Sequence, residues 1–112
     1  MNFLSFLFGA RREAKIDHLA ETLAAQSALA TIGRLSPQIH TMSLPEARGY
    51  IRARASLIVY REISAARRDN ELATIMAAAD DFGEMVMDAT VRRVQQELHR
   101  RRLQAPPLRR AA

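Results

Sequence analysis

The side chains of this sequence best suited to chemistry are its three histidines and its carboxylates. Asp17, His18 and Glu21 lie on one predicted helical turn and could supply two metal ligands, whereas His40 and His99 lie far away in the sequence. A Glu-x-x-His pair, which is the signature of di-iron helical bundles, does not occur. We therefore interpret the cluster around His18 as solvated helix surface.

A second group of carboxylates, Asp80, Asp81, Glu84 and Asp88, could bind a hard cation but lacks the spacing of a calcium loop. The absence of cysteine excludes disulfides, thiolate nucleophiles and thiolate metal sites. The sequence also contains no glycine-rich phosphate loop and no nucleophile elbow. We predict that the protein is not an enzyme and has no catalytic residue, metal, cofactor or small-molecule substrate.

The strongest functional signal is an apolar cluster at residues 1–10, where three of the four phenylalanines occur. On a helical wheel, Asn2, Ser5 and Gly9 share one narrow polar face, and apolar side chains cover the rest. So short a helix is marginal in water unless it lies on something apolar. The residues predicted to contact a membrane or a partner are Phe3, Leu4, Phe6, Leu7, Phe8, Arg11, Arg12 and Lys15.

Two destinations for this arm, residues 1–10, remain open. It suits an in-plane membrane anchor whose phenylalanines enter the acyl boundary while the basic residues lie at the headgroups. Alternatively, it folds back on its own bundle or is buried between copies in an oligomer. The apolar stretch is too short for a membrane span, and its basic residues follow it, unlike those of a secretory signal. We expect a cytoplasmic protein, with the cytoplasmic face of a membrane as one location.

Basic residues also dominate the C-terminal segment, where residues 92–112 contain seven arginines and one glutamate. Such a segment could bind nucleic-acid phosphates or anionic lipid headgroups. Because residues 83–112 contain no aromatic side chain to stack on bases, sequence-specific recognition is unsupported. The predicted anionic-partner contacts are Arg92, Arg93, Arg100, Arg101, Arg102, Arg109 and Arg110.

The charges in the middle of the chain are segregated by sign, within a net charge of +5. Residues 43–68 contain six arginines and two glutamates, and residues 69–91 contain six acids and no base. If the two segments pair antiparallel about residue 69, Arg54 comes level with Glu84. The residues predicted to pair across this hairpin are Arg54, Arg61, Arg68, Asp80, Glu84 and Asp88.

Hydrophobic periodicity predicts an all-α fold with a single domain over residues 11–104. After the short amphipathic N-terminal helix, which could be continuous with the next one, three helices are expected. Ser43 and Glu46 have capping-box spacing, and Asp69 or Asn70 is expected to cap the third helix. One continuous helix over 44–103 is the alternative to a hairpin. The expected helices span about 11–34, 44–68 and 71–103, followed by a disordered Pro/Arg tail over 105–112.

These observations favour a small non-enzymatic interaction protein that associates peripherally with a membrane or membrane complex through the arm. The first alternative is a soluble homo-oligomeric subunit, because alanines at 20, 24 and 28 would allow close approach of another helix. The second alternative is nonspecific nucleic-acid binding through the C-terminal arginines.

Overall fold

The computed structural model describes the backbone of residues 3–104 and the side chains of residues 9–104. All regular secondary structure in this part of the chain is helical, so the predicted all-α class is confirmed. The predicted tail, residues 105–112, lies outside the described residues. The elements are α1 (Phe3–Ile32), a 3-10 helix (Pro37–Thr41), α2 (Leu44–Ala66), α3 (Asn70–Ala77) and α4 (Phe82–Gln104).

Helix α1 is longer than either of the two helices predicted for the same region. It begins at Phe3 and continues through Gly9 without interruption, so residues 3–10 of the arm share one helix with most of the predicted helix over 11–34. It ends at Ile32, just before Gly33 and the Ser36-Pro37 pair. The residue before a proline is disfavoured in the α region, which is why the chain turns here.

Helix α2 begins with the predicted N-terminal cap. The hydroxyl of Ser43 accepts a hydrogen bond from the backbone N–H of Glu46 at 3.3 Å and donates one to the Glu46 carboxylate at 2.9 Å. Pro45 lies in the first turn, where its missing N–H leaves no hydrogen bond unmade. The start of α2 is therefore fixed by local sequence.

The prediction of one helix over about 71–103 is wrong in one respect. This part of the chain forms two helices, which residues 78–81 separate. Asp69 caps α3, with its carboxylate accepting from the backbone N–H groups of Glu71 and Leu72 at 2.9 and 3.1 Å. The interruption contains no glycine or proline, and neighbouring aspartates occupy its end. Aspartate favours turns and caps over helix interiors, and the redirected chain places Phe82 in the core at the start of α4.

Helices α1, α2 and α4 pack against one another, and α3 contacts α1. The larger core cluster combines the middle of α1 with the C-terminal half of α2, one residue of α3 and the N-terminal part of α4. A smaller cluster joins the end of α1, the 3-10 helix, the start of α2 and the middle of α4. The buried members of this smaller cluster are Ala28, Ile39, Ile51, Val91 and Val94.

Small side chains form one row along the buried face of α1, beside the larger Ile16, Leu19 and Leu23. Ala24 is completely buried, as are Ser27 and Thr31, and the row allows neighbouring helices to approach closely. The Thr31 hydroxyl donates to the Ser27 carbonyl at 2.7 Å, within the same helix. We call this row the α1 seam, which consists of Ala20, Ala24, Ser27, Ala28 and Thr31.

Candidate functional site

The first half of α1 leaves the core. Every residue from Gly9 to Lys15 is exposed, and Ile16 is the first buried residue among those of α1 whose side chains the structure describes. A methyl group built on Gly9 would meet no atom within 4 Å. At about 1.5 Å per residue, the segment from Phe3 to Lys15 is about 20 Å long. The part of α1 over residues 9–15 therefore lies outside the two core clusters.

The basic part of the predicted contact set lies on one surface. Arg11, Arg12 and Lys15 line an open groove with the C-terminal end of α3, including Thr74 and Ala77. Among the described residues, none of these three cations forms an ion pair. The apolar part of the set lies outside the described side chains, although its backbone belongs to α1; these residues are Phe3, Leu4, Phe6, Leu7 and Phe8.

A second groove beside the same half of α1 is acidic. Glu13 and Asp17 of α1 line it together with Asp80 and Asp81 of the connection between α3 and α4. The described part of the chain contains no group of three or more histidine, aspartate or glutamate side chains placed to hold a metal. The N-terminal half of α1 therefore separates a cationic groove from an anionic one.

Glu21, which the sequence places beside His18, pairs with arginines of α4. Its carboxylate accepts from Arg93 Nε at 3.0 Å and also contacts the Arg92 guanidinium. The Arg92 hydrogen bond is the main reason why the pKa of Glu21 lies below its ordinary value; partial burial opposes this shift, and the Arg93 hydrogen bond adds to it. This pair joins α1 to α4 across the bundle.

The arginines at the end of α4 are paired within their own helix. Glu97 accepts from Arg100 Nε at 2.8 Å and from Arg101 Nε at 3.0 Å. These hydrogen bonds, Arg100 first, lower the pKa of Glu97 to about 2. The carboxylate is therefore ionised throughout the neutral range.

Four members of the predicted anionic-partner set are consequently engaged with carboxylates, namely Arg92, Arg93, Arg100 and Arg101. Arg102 lies at the edge of a pocket, while Arg109 and Arg110 lie outside the described residues. The sequence could not show the two pairs of Glu21, which lies about seventy residues before Arg92 and Arg93. The two pairs of Glu97 have i,i+3 and i,i+4 spacing, which is the sequence signal for them.

The predicted charge pairing between α2 and α4 involves a different arginine from those expected. Arg52 contacts Glu84 at 3.5 Å and Asp88 at 2.5 Å. The exposed arginines Arg54, Arg61 and Arg68 form no ion pair among the described residues, and neither does Asp80. The 100° step between helical residues puts position 52 on the side of α2 that faces α4, and position 54 beyond it.

Two histidines that are distant in sequence line one pocket. His40 follows the buried Ile39 of the 3-10 helix, and His99 lies on α4 beside Leu98. The pocket has a volume of about 250 Å³ and a largely apolar wall, which Met42 and Ile51 help to form. This size is below the usual range of ligand pockets.

The alanine row that suggested self-association is used within the monomer. Ala20, Ala24 and Ala28 are all buried against neighbouring helices of the same chain. The large apolar side chains that are more than two-thirds exposed among the described residues lie elsewhere, at Leu29, Leu44 and Leu103. The α1 seam therefore offers no surface to another copy.

No helix within residues 3–104 has both the length and the apolar character needed to cross a bilayer. Comparison of the chain with protein-family models, with curated proteins and with solved structures finds no match.

Proposed function

We propose that this chain is a non-enzymatic interaction protein that associates peripherally with the cytoplasmic face of an anionic membrane through the N-terminal part of α1. The observation that carries the proposal is the course of α1, which leaves the core at Ile16 and continues as one helix to Phe3. The apolar cluster is thereby attached to an exposed helical segment that carries Arg11, Arg12 and Lys15.

Continuity of α1 supports this function on energetic grounds. An isolated helix of about ten residues would be mostly unfolded in water, and it would lose conformational entropy when it entered the interface. Here the packed half of α1, from Ile16 onward, nucleates the helix in advance. Burial of apolar side chains then contributes to binding. The attraction of each basic residue to anionic lipids contributes about 1 kcal/mol more.

We propose that α2 and α4 lie antiparallel as a helical hairpin and that this hairpin supports α1. Arg52, near the start of α2, contacts Asp88 in the middle of α4. The larger core cluster likewise contains Ile63, near the end of α2, and Phe82, at the start of α4. Such a support would keep α1 rigid while its N-terminal part is bound.

Co-sedimentation with vesicles tests the membrane proposal. The full chain is compared with the combined variant Phe3→Ser, Phe6→Ser and Phe8→Ser on vesicles of phosphatidylcholine and phosphatidylserine. We expect this variant to bind more than tenfold more weakly, because burial of each phenylalanine contributes over 1 kcal/mol. A matched control replaces three exposed leucines by serine, at Leu29, Leu44 and Leu103, and should bind like the unchanged protein.

Equal binding by the full chain and the phenylalanine variant would refute the role of the arm. Sedimentation velocity of the same two proteins tests the alternative of a soluble oligomer. A shift from oligomer to monomer in the phenylalanine variant, without binding of the unchanged protein to vesicles, would place the arm at a subunit interface. Binding of the unchanged chain to duplex DNA at low salt, but not to vesicles, would favour the nucleic-acid alternative.

A further inference from the structure

The outer face of α2 carries exposed apolar side chains in a regular pattern. Its inner face is buried at Ile51, Ala55 and Ile63, and the exposed strip lies on the opposite side of the helix. Leu57 is 51% exposed and Tyr60 is 66% exposed. Their spacing of three residues, extended by Ala53 and Ser64, matches the alternating three and four of a coiled-coil seam.

A row of arginines follows one edge of this strip. Arginines recur every seven residues, at Arg54, Arg61 and Arg68, and all three are exposed. None of them forms an ion pair with another described residue. If Leu57 and Tyr60 are the a and d positions of a heptad, Arg54 and Arg61 are at the e position, where charges select the partner helix. Arg68 follows in the turn just after the end of α2.

One end of the row is ordered by its surroundings. The Arg54 guanidinium carbon lies 5.3 Å from the centre of the Tyr50 ring, within the range of a cation–π contact. The Tyr50 hydroxyl in turn accepts a hydrogen bond from the backbone N–H of Ser36 at 2.9 Å. Arg54 is therefore partly positioned before any partner arrives, which reduces the entropy lost on binding.

We propose that the outer face of α2 docks an acidic amphipathic helix of another protein. The apolar stripe of that helix would cover Leu57 and Tyr60, and its Glu or Asp side chains would pair with the arginine row. Tyrosine and arginine are among the residues enriched where binding energy concentrates at protein interfaces. This surface is distinct from the arm on α1, and the inference does not depend on the membrane proposal.

Charge and geometry favour this occupant over two others. A second copy docked antiparallel through the same face would place arginine rows opposite each other, and a parallel copy would set them against Ser56 and Ile63. Neither arrangement supplies a carboxylate. A membrane surface requires a wide apolar face, and this strip offers only Leu57 and Tyr60 as large apolar side chains.

A synthetic helical peptide tests the proposal directly. The probe is long enough to cover α2 and carries Leu at positions a and d and Glu at e and g; a control peptide has Lys in place of every Glu. Fluorescence anisotropy of the labelled peptides is followed while the full chain is added. We expect binding of the Glu peptide and none of the Lys peptide.

Two arginine variants of equal charge locate the binding surface. The combined Arg54→Gln, Arg61→Gln and Arg68→Gln variant should bind the Glu peptide roughly tenfold more weakly, since three interfacial ion pairs are lost. The combined variant of Arg100, Arg101 and Arg102 to Gln should bind within about twofold of the unchanged chain, because the same charge is removed elsewhere. Circular dichroism checks that both variants are folded.

Several outcomes would overturn the inference. These are failure of the unchanged chain to bind the Glu peptide, and equal weakening by the two arginine variants. The combined Leu57→Ser and Tyr60→Ser variant distinguishes the other occupants. If it abolishes self-association, the face binds a second copy; if it weakens vesicle binding, the face binds lipid. Retained peptide binding by the Phe3, Phe6 and Phe8 variant separates this inference from the membrane proposal.

Discussion

The arginines of α4 and those of α2 differ in what they contact. On α4, Arg92 and Arg93 share Glu21 of α1, and Arg100 and Arg101 share Glu97. On α2, the row that begins at Arg54 faces solvent beside exposed apolar side chains. The more basic segment of the sequence is therefore the one whose charges are more fully occupied within the molecule.

This difference shows that the number of charges in a segment does not measure the charge available to a partner. The carboxylate beside each engaged arginine offsets its positive charge, and the same carboxylate would repel a phosphate that approached. The α2 row and the basic residues near the arm have no such competition among the described residues. They are therefore the stronger candidates for contact with an anionic surface.

The largest effect should follow from opening the α1 seam, which holds Glu21 against α4. Ala24 is completely buried, and Ala24→Leu would force α1 away from its neighbours at a cost of about 3 kcal/mol. Urea denaturation measures the loss. Ala30→Leu adds the same side chain to an exposed position of the same helix and should change stability little. Similar losses for both variants would contradict close packing at Ala24.

The next effect concerns binding rather than folding. The combined Arg11→Gln and Arg12→Gln variant should bind anionic vesicles about thirtyfold more weakly, at about 1 kcal/mol for each charge near the surface. The combined Arg92→Gln and Arg93→Gln variant removes equal charge from the engaged group and should weaken binding less than threefold. If both variants bound vesicles equally weakly, pairing with a carboxylate would make no difference to how an arginine contacts lipid, and the proposed difference would be refuted.

A smaller effect, of opposite sign, is expected on α2. A methyl group at Gly49 would meet no atom within 4 Å, and the residue lies inside a helix. Gly49→Ala should stabilise the fold by up to about 1 kcal/mol, because alanine loses less backbone entropy than glycine. Thermal unfolding measures the gain. A decrease in stability would mean that this part of α2 is packed, and would weaken the argument that its outer face is free.

The smallest effect should come from Glu21→Gln, since the pair is about half exposed and contributes roughly 0.5 kcal/mol. Pairing lowers the pKa of Glu21 in the folded state, so its contribution is complete above the ordinary carboxyl value of 4.5. That contribution is lost as the pH falls through the lowered pKa of the folded state. Stability curves of the two proteins should therefore converge in acid; a difference that persisted there would exclude the ion pair as its cause.

Local signals in the sequence predicted much of the fold. The spacing of Ser43 and Glu46 located the start of α2, and Asp69 caps α3 as expected. The split between α3 and α4 was missed, although Asp81 and Glu84 have capping-box spacing. Hydrophobic periodicity continues through this segment, so the capping signal does not stand out from the surrounding charged residues.

The sequence did not predict which side chains on different helices contact each other. The contact between Glu21 and Arg92, and the meeting of His40 and His99 in one pocket, depend on how the helices pack. Gly83, near the start of α4, marks no close approach of another helix, since a methyl group there would meet no atom within 4 Å. Periodicity reports which face of a helix is buried, but it does not report which helix covers that face.

The α1 seam also limits how this sequence can diverge. The positions of Ala20, Ala24 and Ala28 accept only the smallest side chains, because larger ones would force neighbouring helices apart. Selection would therefore remove substitutions there far more often than substitutions on the outer face of α2. A lineage descended from this protein should therefore keep small residues at four-residue intervals in its first helix while its arginines drift. In such descendants, the alanines would indicate that the fold is retained, and the charged surface residues would show where partners have changed.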